Sequence, residues 1–196
     1  MSMVTTEQIK ELRDMTGVSV IQCKKALEEA NGDKERALDI LRKKSKDIAA
    51  KKGDRVFGAG SVASYIHSNG TVGSLVELVT ETDFVANNQE FKALAREIAM
   101  HVAASNPSFV RSSEIPEAEQ VKAKELFASE VEGKPEELKE KILSGKISSY
   151  FKERVLLEQP YIKNPDITVS GLIEQAIQKF GEKIDVGRIA RFDIHG

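Results

Sequence analysis

The nine residues Thr80-Glu81-Thr82-Asp83-Phe84-Val85-Ala86-Asn87-Asn88 mark the point where one periodicity gives way to another. Before them, the run from Val72 to Val79 alternates. Val72, Val76 and Leu78 share one face, and Leu75, Glu77 and Val79 share the other, which is the period of a strand. After them, Phe91, Leu94, Ala95, Ile98, Ala99 and Val102 fall on one side of a helix that Asn87-x-x-Glu90 opens. Sheet therefore meets helix here, and such a junction is where a fold displays side chains that its core does not need. The pair Asp83-Phe84, an acid beside a large ring, has two readings at this place. In one, Asp83 caps the helix and Phe84 folds back onto it as a staple. In the other, Phe84 is a wedge and Asp83 a charge, both aimed at a partner.

Upstream, Ser61–His67 repeats the strand period, and Ser68-Asn69-Gly70 separates it from Thr71–Val79. Asn-Gly accepts the positive φ angles of a tight turn, so a hairpin is predicted over residues 56–79. Gly58, Gly60 and Gly73 predict close backbone approach or a bulge within it. His67 sits at the hairpin end, with no second metal ligand near it in sequence. Further upstream, Lys43-Lys44-Ser45-Lys46 and Lys51-Lys52-Gly53-Asp54-Arg55 carry charge without period, the mark of a linker or a solvated helix end. No aromatic is interleaved there for base stacking.

Residues 1–52 read as three short helices and that linker. Thr5-x-x-Gln8 is a capping box, Ile9, Leu12 and Met15 are spaced by three, and Gly17 ends the first helix. Ser19-x-x-Gln22 starts the second, with Ile21, Cys23, Leu27 and Ala30 as its buried side and Asn31-Gly32 as its end. Asp33 caps the third, which carries Ala37, Leu38 and Leu41. Val18, Val20 and Ile21 crowd the turn at Gly17 and are too many for so small a bundle to turn wholly inward. Either they help close its core or some of them form an apolar docking patch.

Downstream of the junction, Asn106-Pro107 stops the long helix. Pro116 starts another that runs towards Val131. Further helices carry Leu138 and Ile142 and, after Gly145, Ile147, Tyr150, Phe151, Val155 and Leu156. Pro160 and Asn164-Pro165 bracket a loop. Val169, Leu172, Ile173, Ala176, Ile177 and Phe180 make a last amphipathic helix that Gly181 ends. The tail alternates again, with Ala190, Phe192 and Ile194 on one side, and predicts a final strand over 187–195 that joins the hairpin. The expectation is an α+β fold: a three-helix bundle followed by a core, residues 53–196, in which a three-stranded antiparallel sheet carries helices (87–180) packed on one side. Both faces of the hairpin are apolar and the chain offers no second layer for the other face, which favours self-association through the sheet.

Composition narrows the classes of function. The 196 residues hold 29 Lys+Arg against 31 Asp+Glu, a net charge of −2, and nucleic-acid binding by counterion release needs an excess of cations. Cys23 is the single cysteine, so no intrachain disulfide forms; on an apolar helical face it reads as a buried thiol in a reducing compartment. The segment Met1 to Glu7 is neither a secretory signal nor an Arg-rich transit peptide, and no apolar run approaches a membrane span. A cytoplasmic protein with no membrane or nucleic-acid partner is expected. The phosphate-loop patterns GxxxxGK[ST] and GxGxxG are absent, as are HExxH and CxxC; His67, His101 and His195 are scattered. No serine lies in a nucleophile-elbow context. These features predict a binding protein rather than an enzyme, with no metal or cofactor of its own.

Two segments carry a family resemblance. Leu12-Arg13-Asp14-Met15-Thr16-Gly17-Val18-Ser19-Val20-Ile21-Gln22-Cys23-Lys24-Lys25-Ala26-Leu27 resembles the N-terminal signature of the translation elongation factor Ts family. Glu77-Leu78-Val79-Thr80-Glu81-Thr82-Asp83-Phe84-Val85-Ala86-Asn87 resembles its second signature. Tyr65 to Gly73 and Leu156 to Pro160 resemble further landmarks, so the likeness covers nearly the whole chain. Departures from the usual pattern fall at Ser19, Val20, Ile21, Gln22, Val79 and Thr80. The resemblance implies a guanine-nucleotide exchange factor for elongation factor Tu, whose N-terminal domain, similar to ubiquitin-associated domains, docks on the GTPase domain. By residue match, Lys10, Arg13, Gly17, Val20, Ile21 and Lys24 lie on that docking face. Thr82, Asp83, Phe84 and Val85 are presented near the magnesium site of the GTPase, and His67 belongs to the same contact region. The landmarks occur once, which is similar to the short form of the family, expected to work as a homodimer. The rival reading is an adaptor whose helical head binds a helix or a ubiquitin-like surface and whose core only dimerises.

Overall fold

The computed structural model describes residues 4–131 and 135–195. The head is built as its caps dictate. Helix α1 (Thr6–Thr16) opens on the reciprocal Thr5–Gln8 box, and Gly17, at φ 66°, closes it by donating its N–H to the Arg13 carbonyl at 2.7 Å. Ser19 caps α2 (Val20–Glu29) and Asp33 caps α3 (Lys34–Lys51), each accepting from the amide three residues on. Leu12, Val18, Cys23, Leu27, Ala37 and Leu41 meet in one cluster. Leu27 is wholly enclosed there, and truncating such a leucine to alanine costs about 2–5 kcal/mol. Of the crowded residues at the turn, Val18 goes inward. Ile21 does not: it is 68% exposed, because the Ser19 cap starts the helix at a phase that buries Cys23 and Leu27 instead. Met15 also faces out, so the stripe of α1 is Ile9 and Leu12 alone. Helix α3 continues through the charged run to Lys51; Lys43, Lys46 and Asp47 are solvated, but Ser45 between them is buried and its hydroxyl donates to the Leu41 carbonyl and meets the Gln178 side-chain oxygen.

Strands β1 (Ala59–Ile66) and β2 (Val72–Thr80) form the hairpin. At its tip His67 N–H donates to the Val72 carbonyl at 2.8 Å, Gly70 adopts φ 71°, and the Asn69 side chain accepts from the Thr71 amide and hydroxyl. Gly60 lies so close to its neighbour strand that a Cβ there would stand 2.7 Å from the Leu78 carbonyl oxygen. After β2 come a single turn, α4 (Asp83–Ala86), and the long α5 (Gln89–Ser105), near whose start the Asn88 side chain accepts from the Glu90 amide. Helix α6 (Glu117–Ala128) follows Pro116, and α7 (Glu136–Lys152) runs unbroken through Gly145 but stops short of Val155 and Leu156, where the Leu156 amide donates to the Phe109 carbonyl instead of continuing the helix. The break expected at Gly145 does not form: one glycine lowers helix stability by about 1 kcal/mol, less than the packing of a 17-residue helix supplies.

The segment between Pro160 and Asn164 is not a plain loop. Residues Pro160–Tyr161 (β3) and Asn164–Thr168 (β4) pair antiparallel. Glu97 of α5 holds this small pair: Tyr161 Oη donates to its carboxylate, and Lys163 Nζ reaches the same group at 2.7 Å. Helix α8 (Val169–Phe180) ends at Gly181, φ 74°, and β5 (Ile184–Asp193) completes the larger sheet in the order β1-β2-β5. The fold is thus α+β with a three-stranded antiparallel sheet. Along β2, Ser74, Val76, Leu78 and Thr80 are buried while Leu75 is exposed on the opposite face.

The chain forms two compact units. One comprises Met1–Val62, Glu77–Ala95 and Ser170–Val186; the other comprises Ala63–Val76, Arg96–Val169 and Gly187–Gly196. The first holds the head and an edge-to-face pair, Phe91 and Phe180, with centroids 6.1 Å apart. In the second, Ser74 Oγ donates to the Ala99 carbonyl at 2.6 Å, and His101 is wholly enclosed. His101 Nδ1 accepts from the Ile162 amide at 3.3 Å, so Nε2 carries the hydrogen and faces Gln159 Oε1 at 2.8 Å. Burial holds this imidazole below its ordinary pKa, partly offset by the Gln159 hydrogen bond.

Candidate functional site

The junction delivers one feature that the fold itself does not use. Phe84, the second residue of α4, is 85% exposed, while the next two residues, Val85 and Ala86, are buried. A full burial of phenylalanine stabilises a fold by about 1.5–3 kcal/mol, and this ring forgoes nearly all of it. The staple reading therefore fails. Asp83 does not cap a helix either: Thr82 occupies the N-cap position of α4, and Asn88 serves α5. Val85, expected at the partner face, turns its side chain into the chain's own interior instead, where it anchors the turn that carries Phe84. The backbone of that turn closes on itself: Ala86 N–H donates to the Thr82 carbonyl at 3.1 Å and Asn87 N–H to the Asp83 carbonyl at 2.9 Å.

Charged groups brace the approach to the turn. The Glu81 carboxylate receives the Lys183 amide at 2.5 Å and Arg55 Nη1 at 3.0 Å. The Lys183 amide foremost, and then Arg55, hold its carboxyl below the usual range. Lys183 Nζ in turn donates to the Gly53 and Arg55 carbonyls, at 2.5 and 2.8 Å. Glu182 accepts from Thr80 and Thr82. Neither acid, nor Arg55 nor Lys183, stands out in sequence, because their partners are separated from them by 26 to about 130 residues.

On the head, Lys10, Arg13, Gly17, Val20, Ile21 and Lys24 are all exposed around the α1–α2 turn, and Met15 adds to them. The structure gathers these residues on one element pair. The signal for Met15 is its place two residues before the capping glycine, at the rim of the same patch. Lys24 is in a loose ion pair with Glu28 at 3.7 Å. His67 belongs to the other unit. Its Nδ1 lies 3.3 Å from Tyr65 Oη, beside a cleft of about 490 Å³ lined by Val72, Met100, Ile162 and Arg191. Among the described residues no group of three His, Cys, Asp or Glu side chains is arranged to hold a metal ion. Among them, too, no helix is long and apolar enough to cross a membrane.

The family model described as "Elongation factor TS" matches residues 6–195. The chain belongs to the elongation factor Ts family. Membership makes it an elongation factor of protein synthesis. Among its relatives, "Elongation factor Ts" of Carboxydothermus hydrogenoformans is 48% identical over 194 residues, spanning 98% of this chain and 89% of that protein. The protein of the same name from Acetivibrio thermocellus is 47% identical, over 97% of this chain and 90% of its own. That of Thermoanaerobacter pseudethanolicus is 46% identical, over 97% and 95%. The family match spans both the head turn at Gly17 and the junction at Phe84, two places where apolar side chains stand free of the core.

Proposed function

We propose that this member of the family is a guanine-nucleotide exchange factor that binds elongation factor Tu with GDP bound and promotes GDP release. The observation that carries the reading is the exposed Phe84 ring on a turn anchored from below by Val85. The bound nucleotide of a GTPase is held by a nest of backbone amides around its phosphates and by a Mg²⁺ ion. A phenyl ring driven between elements of the GTPase displaces part of that nest. Each hydrogen bond or metal bond to phosphate that breaks is worth about 1–3 kcal/mol, and each 1.36 kcal/mol is about tenfold in rate, so breaking two or three of them speeds release by orders of magnitude. Asp83, exposed beside the ring, supplies a charge at the phosphate end. The chain makes and breaks no covalent bond in this process. The coupling is reciprocal: nucleotide weakens the factor's grip as much as the factor weakens the nucleotide's, which is how incoming GTP ejects it.

In this reading the head docks on the GTPase domain through Lys10, Arg13, Val20, Ile21 and Lys24, with Gly17 setting the turn between its helices. His67 makes a second contact from the core. The working species is a cytoplasmic homodimer joined through the outer sheet face, where Ile66, Leu75, Phe192 and Ile194 surround a shallow depression. Four exposed apolar side chains in one depression are characteristic of an interaction face. The test is release of a fluorescent GDP analogue from elongation factor Tu, with the parent chain and with Phe84→Ala. The expected result is strong acceleration by the parent and loss of most of it in the variant. An adaptor would leave release unstimulated by the parent, or equal with both proteins.

A further inference from the structure

The two threonines that flank Glu81 meet at a single carboxylate. Glu182 follows Gly181, the residue that ends α8. Its Oε2 accepts from the Thr80 hydroxyl at 2.8 Å and from the Thr82 amide at 3.0 Å, and its Oε1 accepts from the Thr82 hydroxyl at 2.6 Å. Thr80 is the last residue of β2 and is wholly buried; Thr82 is the N-cap of α4. An N-cap threonine ordinarily turns its oxygen to the free amides of its own helix. Thr82 makes no such bond; its hydroxyl is turned towards Glu182 and donates there. Glu81, between the threonines, is held by the Lys183 amide. Two consecutive residues of the C-terminal segment thus grip three consecutive residues of the approach to Phe84.

The ring has little packing of its own to set its direction, since most of it stands in solvent. Its direction is inherited from the backbone of residues 80–83. Hydrogen bonds to a carboxylate are short, directional and about twice as strong as neutral ones, and three of them converge on one side chain here. We infer that Glu182 is a positioning residue for Phe84: by holding Thr80 and Thr82 together it fixes the angle at which the α4 turn leaves the sheet, and with it the line along which the ring is offered to the GTPase. The inference rests on the reading of Phe84 as the working residue.

The experiment compares GDP release stimulated by the parent chain, Phe84→Ala, Glu182→Ala, Glu182→Gln and the double variant Glu182→Ala/Phe84→Ala. Hydrogen exchange at the Thr82 amide and melting temperature are read alongside. Misplacing a working group by about 1 Å costs up to about a hundredfold, so Glu182→Ala is expected to slow stimulated release by about tenfold to a hundredfold. Thr82 amide exchange is expected to accelerate. Glu182→Gln, which keeps the shape and one carbonyl acceptor, is expected to recover much of the loss. The double variant is expected to match Phe84→Ala, because a mount matters only while it carries a ring. Parent-like release by Glu182→Ala while Phe84→Ala has lost it overturns the inference and leaves the exchange reading standing. A double variant well below Phe84→Ala also overturns it, since Glu182 would then act apart from the ring. Parent-like release by Phe84→Ala overturns the exchange reading itself, and this inference with it. Should Glu182→Ala fail to fold, Thr82→Val decides: it keeps the backbone donor and drops the hydroxyl, and release at the parent rate by that variant overturns the inference.

Discussion

His101 gives the fold an acid-side weakness whose size can be worked out in advance. The ring is wholly enclosed and held neutral, with its pKa lowered by burial from the ordinary 6.5. In the unfolded chain the same ring takes up a proton as pH falls through that value. A group whose folded pKa is depressed supports the fold fully above its unfolded pKa, and the support drains away as pH falls from there towards the folded pKa. Over that window the slope is at most about 1.4 kcal/mol per pH unit, the value for one proton bound by the unfolded state alone. For 196 residues the unfolding entropy is about 0.4 kcal/mol/K, so the ceiling corresponds to about 3 °C of melting temperature per unit. The perturbation is His101→Gln, which keeps a polar side chain near Gln159 and the Ile162 amide but cannot be protonated. Scanning calorimetry from pH 7.5 to 5.5 is the assay. The variant starts less stable, because its shape is wrong for the site, and the parent is expected to lose ground on it as pH falls. The Glu81 and Asp193 carboxyls do not intervene, since both are shifted downwards, out of this window. Parallel curves for the two proteins would refute the reasoning.

Three further outcomes follow from the geometry. Gly60→Ala places a Cβ 2.7 Å from a strand carbonyl and 3.3 Å from the Val79 Cα, and the strain should cost about 1–3 kcal/mol, whereas Gly145→Ala, with nothing within 4 Å in mid-helix, should gain about 0.5–1 kcal/mol; denaturant titration reads both signs. Ile21→Asp should leave stability within about 0.5 kcal/mol, since its side chain is exposed, yet weaken binding to elongation factor Tu at least about tenfold in titration calorimetry. Phe192→Asp, on the outer sheet face, should shift sedimentation from dimer to monomer without changing the circular dichroism spectrum, and a parent that sediments as a monomer at working concentration refutes the dimer.

What can be seen in the sequence is what local spacing governs. The hairpin, the three caps of the head and the buried face of α5 each depend on residues within a turn or a few of one another, and each forms as its spacing predicts. What escapes depends on partners far along the chain. Pro160 and Asn164-Pro165 are loop residues by local chemistry, and the β3–β4 pair is supported by Glu97, more than sixty residues earlier. His101 lies on the buried side of α5, three residues after Ile98, yet its role is set by Gln159 and Ile162. At the candidate site, spacing leaves Phe84 open between staple and wedge, since an exposed ring and a tucked one have the same neighbours in sequence. Glu182 has no local signal at all, being one acid after a helix-ending glycine. Ile21 faces outward although Cys23, Leu27 and Ala30 are buried as expected, because residues two apart on a helix point about 200° apart, so Ile21 and Cys23 cannot share one face.

The order of synthesis bears on the junction as well. The ribosome lays down Thr80 and Thr82 a hundred residues before it reaches the carboxylate that will hold them. A product released early, short of position 182, would own the aromatic tip but not the strut behind it.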